Sequence, residues 1–192
     1  MNKIQVSGYF YIFVVIGLYL LPVKWLLGWV AAVAVHEAFH YLALRLCGVG
    51  VLSCEIGPLG AVIETDAMKW WQEFLSTLAG PLGGSLLILT IKYFPQVAVC
   101  GVLHSIYNLL PIYPLDGGRL LRCAVGSIFT PKIAFTVCRT VEWIVSALIL
   151  AVAVYLSLVR RMGLVWLVAA TILLVRSAIV KLSCKRDEQI VQ

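Results

Sequence analysis

Three ionisable residues, His36, Glu37 and His40, interrupt an otherwise apolar run, WLLGWVAAVAVHEAFHYLALRL, and their spacing suits metal chemistry. Positions i and i+4 share one face of a helix, so two imidazoles set four apart can grip one ion. The Glu beside them can then act as general base on a water that the ion activates. A pattern this short also arises by chance in soluble proteins, as two core histidines and an unrelated Glu. In a segment apolar enough to cross a bilayer the chance reading weakens. Burying such groups in hydrocarbon is expensive, and they usually mark a functional site.

The element that must present these residues is a membrane-spanning helix. The chain has 192 residues, 62% of them hydrophobic and 12% charged, with a mean hydropathy of +0.99. A soluble domain is nearer half apolar, with about a quarter of its residues charged. The length accommodates one bundle of about six spanning helices at roughly 20 residues each. Apolar runs bounded by charges or turn residues predict spans at 8–22, 24–45, 72–92, 97–111, 140–159 and 163–180. The expected fold class is an all-α membrane protein of six transmembrane helices, the fourth broken at prolines, forming a single domain over residues 1–192. Lys3 ahead of the first apolar run gives a signal-peptide look. No small-x-small cleavage site precedes the second span, so a retained first helix is expected.

The net charge of +6 is spread singly or in pairs at the ends of the apolar runs. That is where the positive-inside rule places basic residues, and no arginine-rich stripe with interleaved aromatics is present. Nucleic acid is excluded as a partner on that ground. With the N-terminus in the cytosol, six crossings put ten basic residues inside, from Lys3, Arg45 and Lys69 through Arg119, Arg122, Lys132 and Arg139 to Lys181, Lys185 and Arg186. The outer side keeps four, Lys24, Lys92, Arg160 and Arg161. Both termini are therefore expected on the cytoplasmic side. On that layout His40 and Asp116 reach a similar depth.

Asp116 belongs to a second constellation, Asn108-Leu-Leu-Pro-Ile-Tyr-Pro-Leu-Asp116-Gly117-Gly118. Pro111 and Pro114 cannot continue a helix, and irregular backbone at membrane depth is tolerated only when buried in protein or lining a wet cavity. The glycine pair permits a tight turn and close backbone approach. Taken alone, Asp116 reads as a turn residue. Beside a His-Glu-x-x-His helix its carboxylate becomes the third ligand of a catalytic zinc, which typically takes three protein ligands and keeps its fourth position for water.

The pair HEAFH and NLLPIYPLDGG resembles the site-2 protease family of intramembrane zinc metalloproteases. The second motif most resembles the bacterial branch that includes stage IV sporulation protein FB. The similarity covers a core from about 24 to 122, and the six-helix layout is also similar. The resemblance implies one zinc per chain bound by His36, His40 and Asp116, with Glu37 as catalytic base and Asn108 positioning substrate or polarising the scissile region. It implies cleavage of a peptide bond within or next to a transmembrane segment of a membrane-protein substrate, under a possible membrane regulator. It also implies a multi-pass protein of a bacterial cell membrane, serving sporulation or general signalling. No PDZ or CBS domain of the kind found in many relatives is expected in this chain.

Other features carry smaller weight. His104, one turn before Asn108, could support it, sit near the metal behind its ligands, or simply pack in the core. Residues 55–64 read as a hairpin dipping into the membrane's cytosolic face, whose edge could pair with an extended substrate. Ala79-Gly80-Pro81-Leu82-Gly83-Gly84 is a small-residue patch, explained by close helix packing or as a wall of the cleft. The basic stretch from Arg119 to Arg139 is expected along the anionic leaflet. Six cysteines without a C-x-x-C pair read as small core residues in a reduced setting. Two rival functions remain at this level. A metal transporter would need a series of polar sites along a path, whereas one cluster is visible. A membrane scaffold with a silent metal site would have little reason to keep Glu37.

Overall fold

The computed structural model describes residues 3–6, 8–20, 22–57 and 60–160, with the short stretches 167–168, 170–171 and 174–175. The chain divides into two compact units, Met1–Leu109 and Leu110–Gln192.

In the first unit β1 (Lys3–Val6) and α1 (Gly8–Leu20) precede the long helix α2 (Val23–Leu46). β2 (Val51–Gly57) and β3 (Gly60–Thr65) follow, then α3 (Trp70–Leu86), a 3₁₀ turn at Leu87–Thr90, and α4 (Pro95–Asn108). α2 packs against both α3 and α4, which also pack against each other. Along α2 the buried residues Gly28, Ala32, His36, His40 and Leu44 recur every fourth position, while Leu27 and Leu42 face outward. Glycine, alanine and histidine at the centre of the packed face, with leucines left exposed on the outer one, is the pattern of a helix whose surroundings are lipid.

α2 stops sharply. Gly48 takes a φ of +72°, a conformation that suits glycine. The Gly48 N–H donates to the Arg45 carbonyl at 3.1 Å and the Val49 N–H to the Leu44 carbonyl at 2.9 Å. These two bonds make a Schellman cap, and its usual hydrophobic contact is present as Leu44 against Val49, joined by Val51. Gln72 then ties the start of α3 to this end. Its amide oxygen accepts from the Lys69 N–H at 2.8 Å and its amide nitrogen donates to the Cys47 carbonyl at 3.0 Å.

The second unit contains α5 (Asp116–Gly126) and α6 (Pro131–Val154), extended by a π turn at Tyr155–Val159. α5 packs against α6.

Three helices among the described residues are long and apolar enough to cross a membrane: Val23–Leu46, Trp70–Thr90 and Pro131–Leu158. The first and fourth expected spans form helices of 13 and 14 residues, short of the roughly 20 needed to cross alone. Pro95 opens α4 and Pro111 follows its end, so its length is bounded on both sides. The sixth expected span, 163–180, lies largely outside the described residues. α6 begins at Pro131 rather than near 140 because Lys132 and Arg139 occupy exposed positions and do not end the helix.

The fold is mostly helical rather than all-α. The expected hairpin pairs β2 with β3 from Val51↔Thr65 to Gly57↔Gly60, longer than anticipated, and β1 adds to it in parallel through Lys3↔Ser53. Four residues gave β1 too short a pattern to stand out beside the apolar run that follows it.

Candidate metal centre

His36 and His40 both face the packed side of α2, 2% and 9% exposed respectively. Their Nε2 atoms lie 3.0 Å apart, with the rings edge to face. His40 Nδ1 lies 2.7 Å from the Ser76 carbonyl oxygen of α3. A carbonyl only accepts, so the hydrogen of a neutral His40 is on Nδ1 and its Nε2 presents a lone pair. That lone pair faces the His36 Nε2 and calls for a proton or a cation between them. The edge of a tetrahedral site with zinc–nitrogen bonds of 2.0–2.1 Å is about 3.3 Å, close to the spacing present. The donor set therefore fits a zinc ion.

The Ser76 carbonyl was not legible in the sequence, because a backbone acceptor carries no residue signature. It orients a ligand imidazole in the way metal-binding histidines usually require. It lies in the turn that Pro81 disturbs, where the missing N–H leaves the Thr77 carbonyl without its helical donor.

The small-residue patch of α3 also takes part. A Cβ on Gly80 would collide with the His40 ring, nearest to Nε2 itself, and one on Gly83 with the Phe39 ring. One on Gly84 would meet the Ser105 hydroxyl, and one on Gly101 the Gly84 carbonyl at 2.6 Å. Close packing, expected for this patch, is thus what lets α3 seat the His40 imidazole.

On α4, His104 is buried and its ring stands edge to face with that of His36, centroids 4.7 Å apart. Asn108 is buried one turn on. Its amide nitrogen donates to His104 Nε2 at 2.9 Å and to the His104 carbonyl at 3.1 Å. Two of the expectations for His104 hold together: it is a packed histidine, and it holds Asn108. With both amide hydrogens directed at His104, Asn108 offers its oxygen to other groups. As held here it suits accepting a substrate N–H better than donating to an oxyanion.

Glu37, half-buried next to His36, acts electrostatically on β2. Burial pushes the Cys54 thiol above its ordinary range, and the Glu37 carboxylate raises it further. Asp116 opens α5, where a carboxylate is favoured by the N-terminal end of the helix dipole, and it is 7% exposed. His36 and His40 in the first unit and Asp116 in the second are each buried, and each carries an atom able to ligate a metal ion.

Residues 82–152 match the family model described as Peptidase family M50, a stretch that holds Asn108 and Asp116 and begins after the His-Glu helix. A zinc metalloprotease of Methanocaldococcus jannaschii is 27% identical over 131 residues, covering 59% of this chain and 39% of that protein. Stage IV sporulation protein FB of Bacillus subtilis is 29% identical over 133 residues, covering 62% of this chain and 46% of that protein. The solved structure of a site-2 protease from Methanocaldococcus jannaschii superposes with a TM-score of 0.65 at 20% identity, over 91% of this chain and 88% of that one. The stretch 82–152 thus resembles Peptidase family M50, and the chain has the fold of the solved site-2 protease. It spans between 33% and 46% of the length of the curated relatives it matches.

Proposed function

We propose that this chain is an intramembrane zinc endopeptidase that cuts a peptide bond within or next to a transmembrane segment of a membrane-protein substrate. The observation that carries the reading is the pair of buried imidazoles on α2, their Nε2 atoms 3.0 Å apart and one tautomer set by the Ser76 carbonyl. In this reading His36, His40 and Asp116 are the zinc ligands, and Glu37 stands beside the two histidines on α2.

A zinc ion in that site supplies Lewis acidity, activating water and polarising a peptide carbonyl at neutral pH. Glu37 takes the proton from the attacking water and passes it to the leaving amine nitrogen. Asn108, its amide anchored on His104, accepts an N–H of an extended substrate backbone through its oxygen. The short helices and the hairpin beside α2 support an unwound substrate, since a helical segment hides its carbonyls in its own hydrogen bonds. The finer layout belongs to the same reading: residues 1–192 as one catalytic domain, six crossings, both termini cytoplasmic, in a bacterial cell membrane with a membrane regulator.

The test is zinc content by elemental analysis of detergent-purified protein, paired with a search for cleaved membrane proteins. Wild type should hold about one zinc per chain and Asp116→Ala much less. No stoichiometric zinc in folded wild type would overturn the reading.

A further inference from the structure

We propose that Glu142 is a positioning residue, a buried carboxylate that clamps the loop carrying Asp116. The proposal rests on the metal-site reading above.

Glu142 lies within the span-length apolar stretch Pro131–Leu158 and is 7% exposed. A buried carboxylate in so apolar a stretch is costly and usually marks a functional role. Its Oε1 accepts a hydrogen bond from the Tyr113 N–H at 2.7 Å. Two prolines remove two donors between Leu110 and Asp116, leaving the N–H groups of Ile112, Tyr113 and Leu115 before α5 begins. The Ile112 N–H donates to the Leu110 carbonyl at 2.7 Å and the Leu115 N–H to the Ile112 carbonyl at 2.8 Å. Tyr113 stands between them, and its donor is taken by the side chain of Glu142. Tyr113 is half-buried and the acceptor carboxylate buried, so this bond favours the loop conformation that makes it.

Two further contacts hold the same residue. The Arg122 guanidinium stacks over the Tyr113 ring, 3.8 Å from its centroid. A Cβ on Gly118 would lie 2.5 Å from the Tyr113 nitrogen, so the loop folds back directly onto the first turn of α5. Asp116 begins that turn three residues after Tyr113. The Glu142–Tyr113 bond therefore sets the direction from which the Asp116 carboxylate is presented. Either protonation state of Glu142 can accept this bond, and so can the amide oxygen of glutamine.

The experiment uses full-length protein in detergent, wild type beside Glu142→Leu, Glu142→Gln and Asp116→Ala. Zinc affinity is read by chelator competition, and exchange of the Tyr113 amide by mass spectrometry of the zinc-free protein. Glu142→Leu should release the Tyr113 amide to exchange and weaken zinc about tenfold or more. Glu142→Gln should stay near wild type in both. Wild-type zinc affinity in Glu142→Leu, or an equal loss in Glu142→Gln, overturns the proposal. Should Glu142→Leu fail to fold, Glu142→Asp, which keeps the charge but falls a methylene short, takes its place with the same expectation. Unchanged zinc in Asp116→Ala would instead remove Asp116 from the ligand set, while amide exchange still reports whether Glu142 clamps the loop.

Discussion

Replacing Gly80 with alanine should damage the metal centre far more than the fold. The new methyl would overlap the His40 ring at the nitrogen assigned to the metal, whereas ordinary contact begins at 3.4 Å. The ring or the helix must withdraw by about an ångström, and a misplacement of about 1 Å can cost on the order of 10²-fold in rate. Any withdrawal also strains the 2.7 Å bond from His40 to the Ser76 carbonyl, the kind of supporting contact whose loss weakens metal binding about 10- to 100-fold. Stability responds less, because opposing terms meet. Overpacking costs about 1–3 kcal/mol, and exchanging glycine for alanine in a helix interior returns about 1 kcal/mol. The net loss is roughly 0–2 kcal/mol. The assay is zinc affinity by chelator competition, with thermal unfolding of the zinc-free protein measured beside it. Gly126→Ala serves as control, since a Cβ there meets nothing within 4 Å. Zinc affinity in Gly80→Ala within about twofold of wild type would refute the reasoning, a tenfold loss being the smallest effect expected.

Three further predictions rest on the same geometry. Glu37→Gln should keep zinc while cleavage falls by about 10²- to 10⁴-fold; retained activity would remove Glu37 from the proton transfers. The same substitution should lower the Cys54 pKa, because a neighbouring negative charge that disfavours the thiolate is gone. With the other five of the six cysteines replaced, Cys54 should then alkylate faster at pH 8, yet still more slowly than an exposed thiol, since burial is the larger cause and remains. His104→Leu should raise KM for a membrane substrate by about tenfold, the equivalent of one hydrogen bond to a properly oriented Asn108, with zinc content unchanged. His104→Gln, which supplies an acceptor oxygen, should recover most of that loss. Equal KM values in the leucine variant and wild type would show that His104 does not orient Asn108.

The residues alone determined the chemistry on offer and the helix that bears it. A His-Glu-x-x-His pattern in an apolar run places both imidazoles on one face whatever else the chain does, because helical period is a local property. The buried stripe of α2 and the end of α4 near Pro111 followed from the same kind of local constraint. The glycines of α3 announced close packing, though not what would pack there. Glu142 is visible as the lone acid of its apolar run, but nothing in its neighbours indicates a partner 29 positions away.

What only tertiary structure decided is which group lies opposite each of these faces. Period reports that a face is buried, not what covers it. So the Ser76 carbonyl that sets the His40 tautomer, the bare Gly80 backbone that admits its ring, and the His104 bonds that turn the Asn108 amide emerged only with α3 and α4 in place. β1 and α5 were missed for a related reason. A four-residue strand is defined by its hydrogen-bonded neighbour β2, and α5 forms beyond a proline-broken loop whose direction a distant carboxylate helps to set.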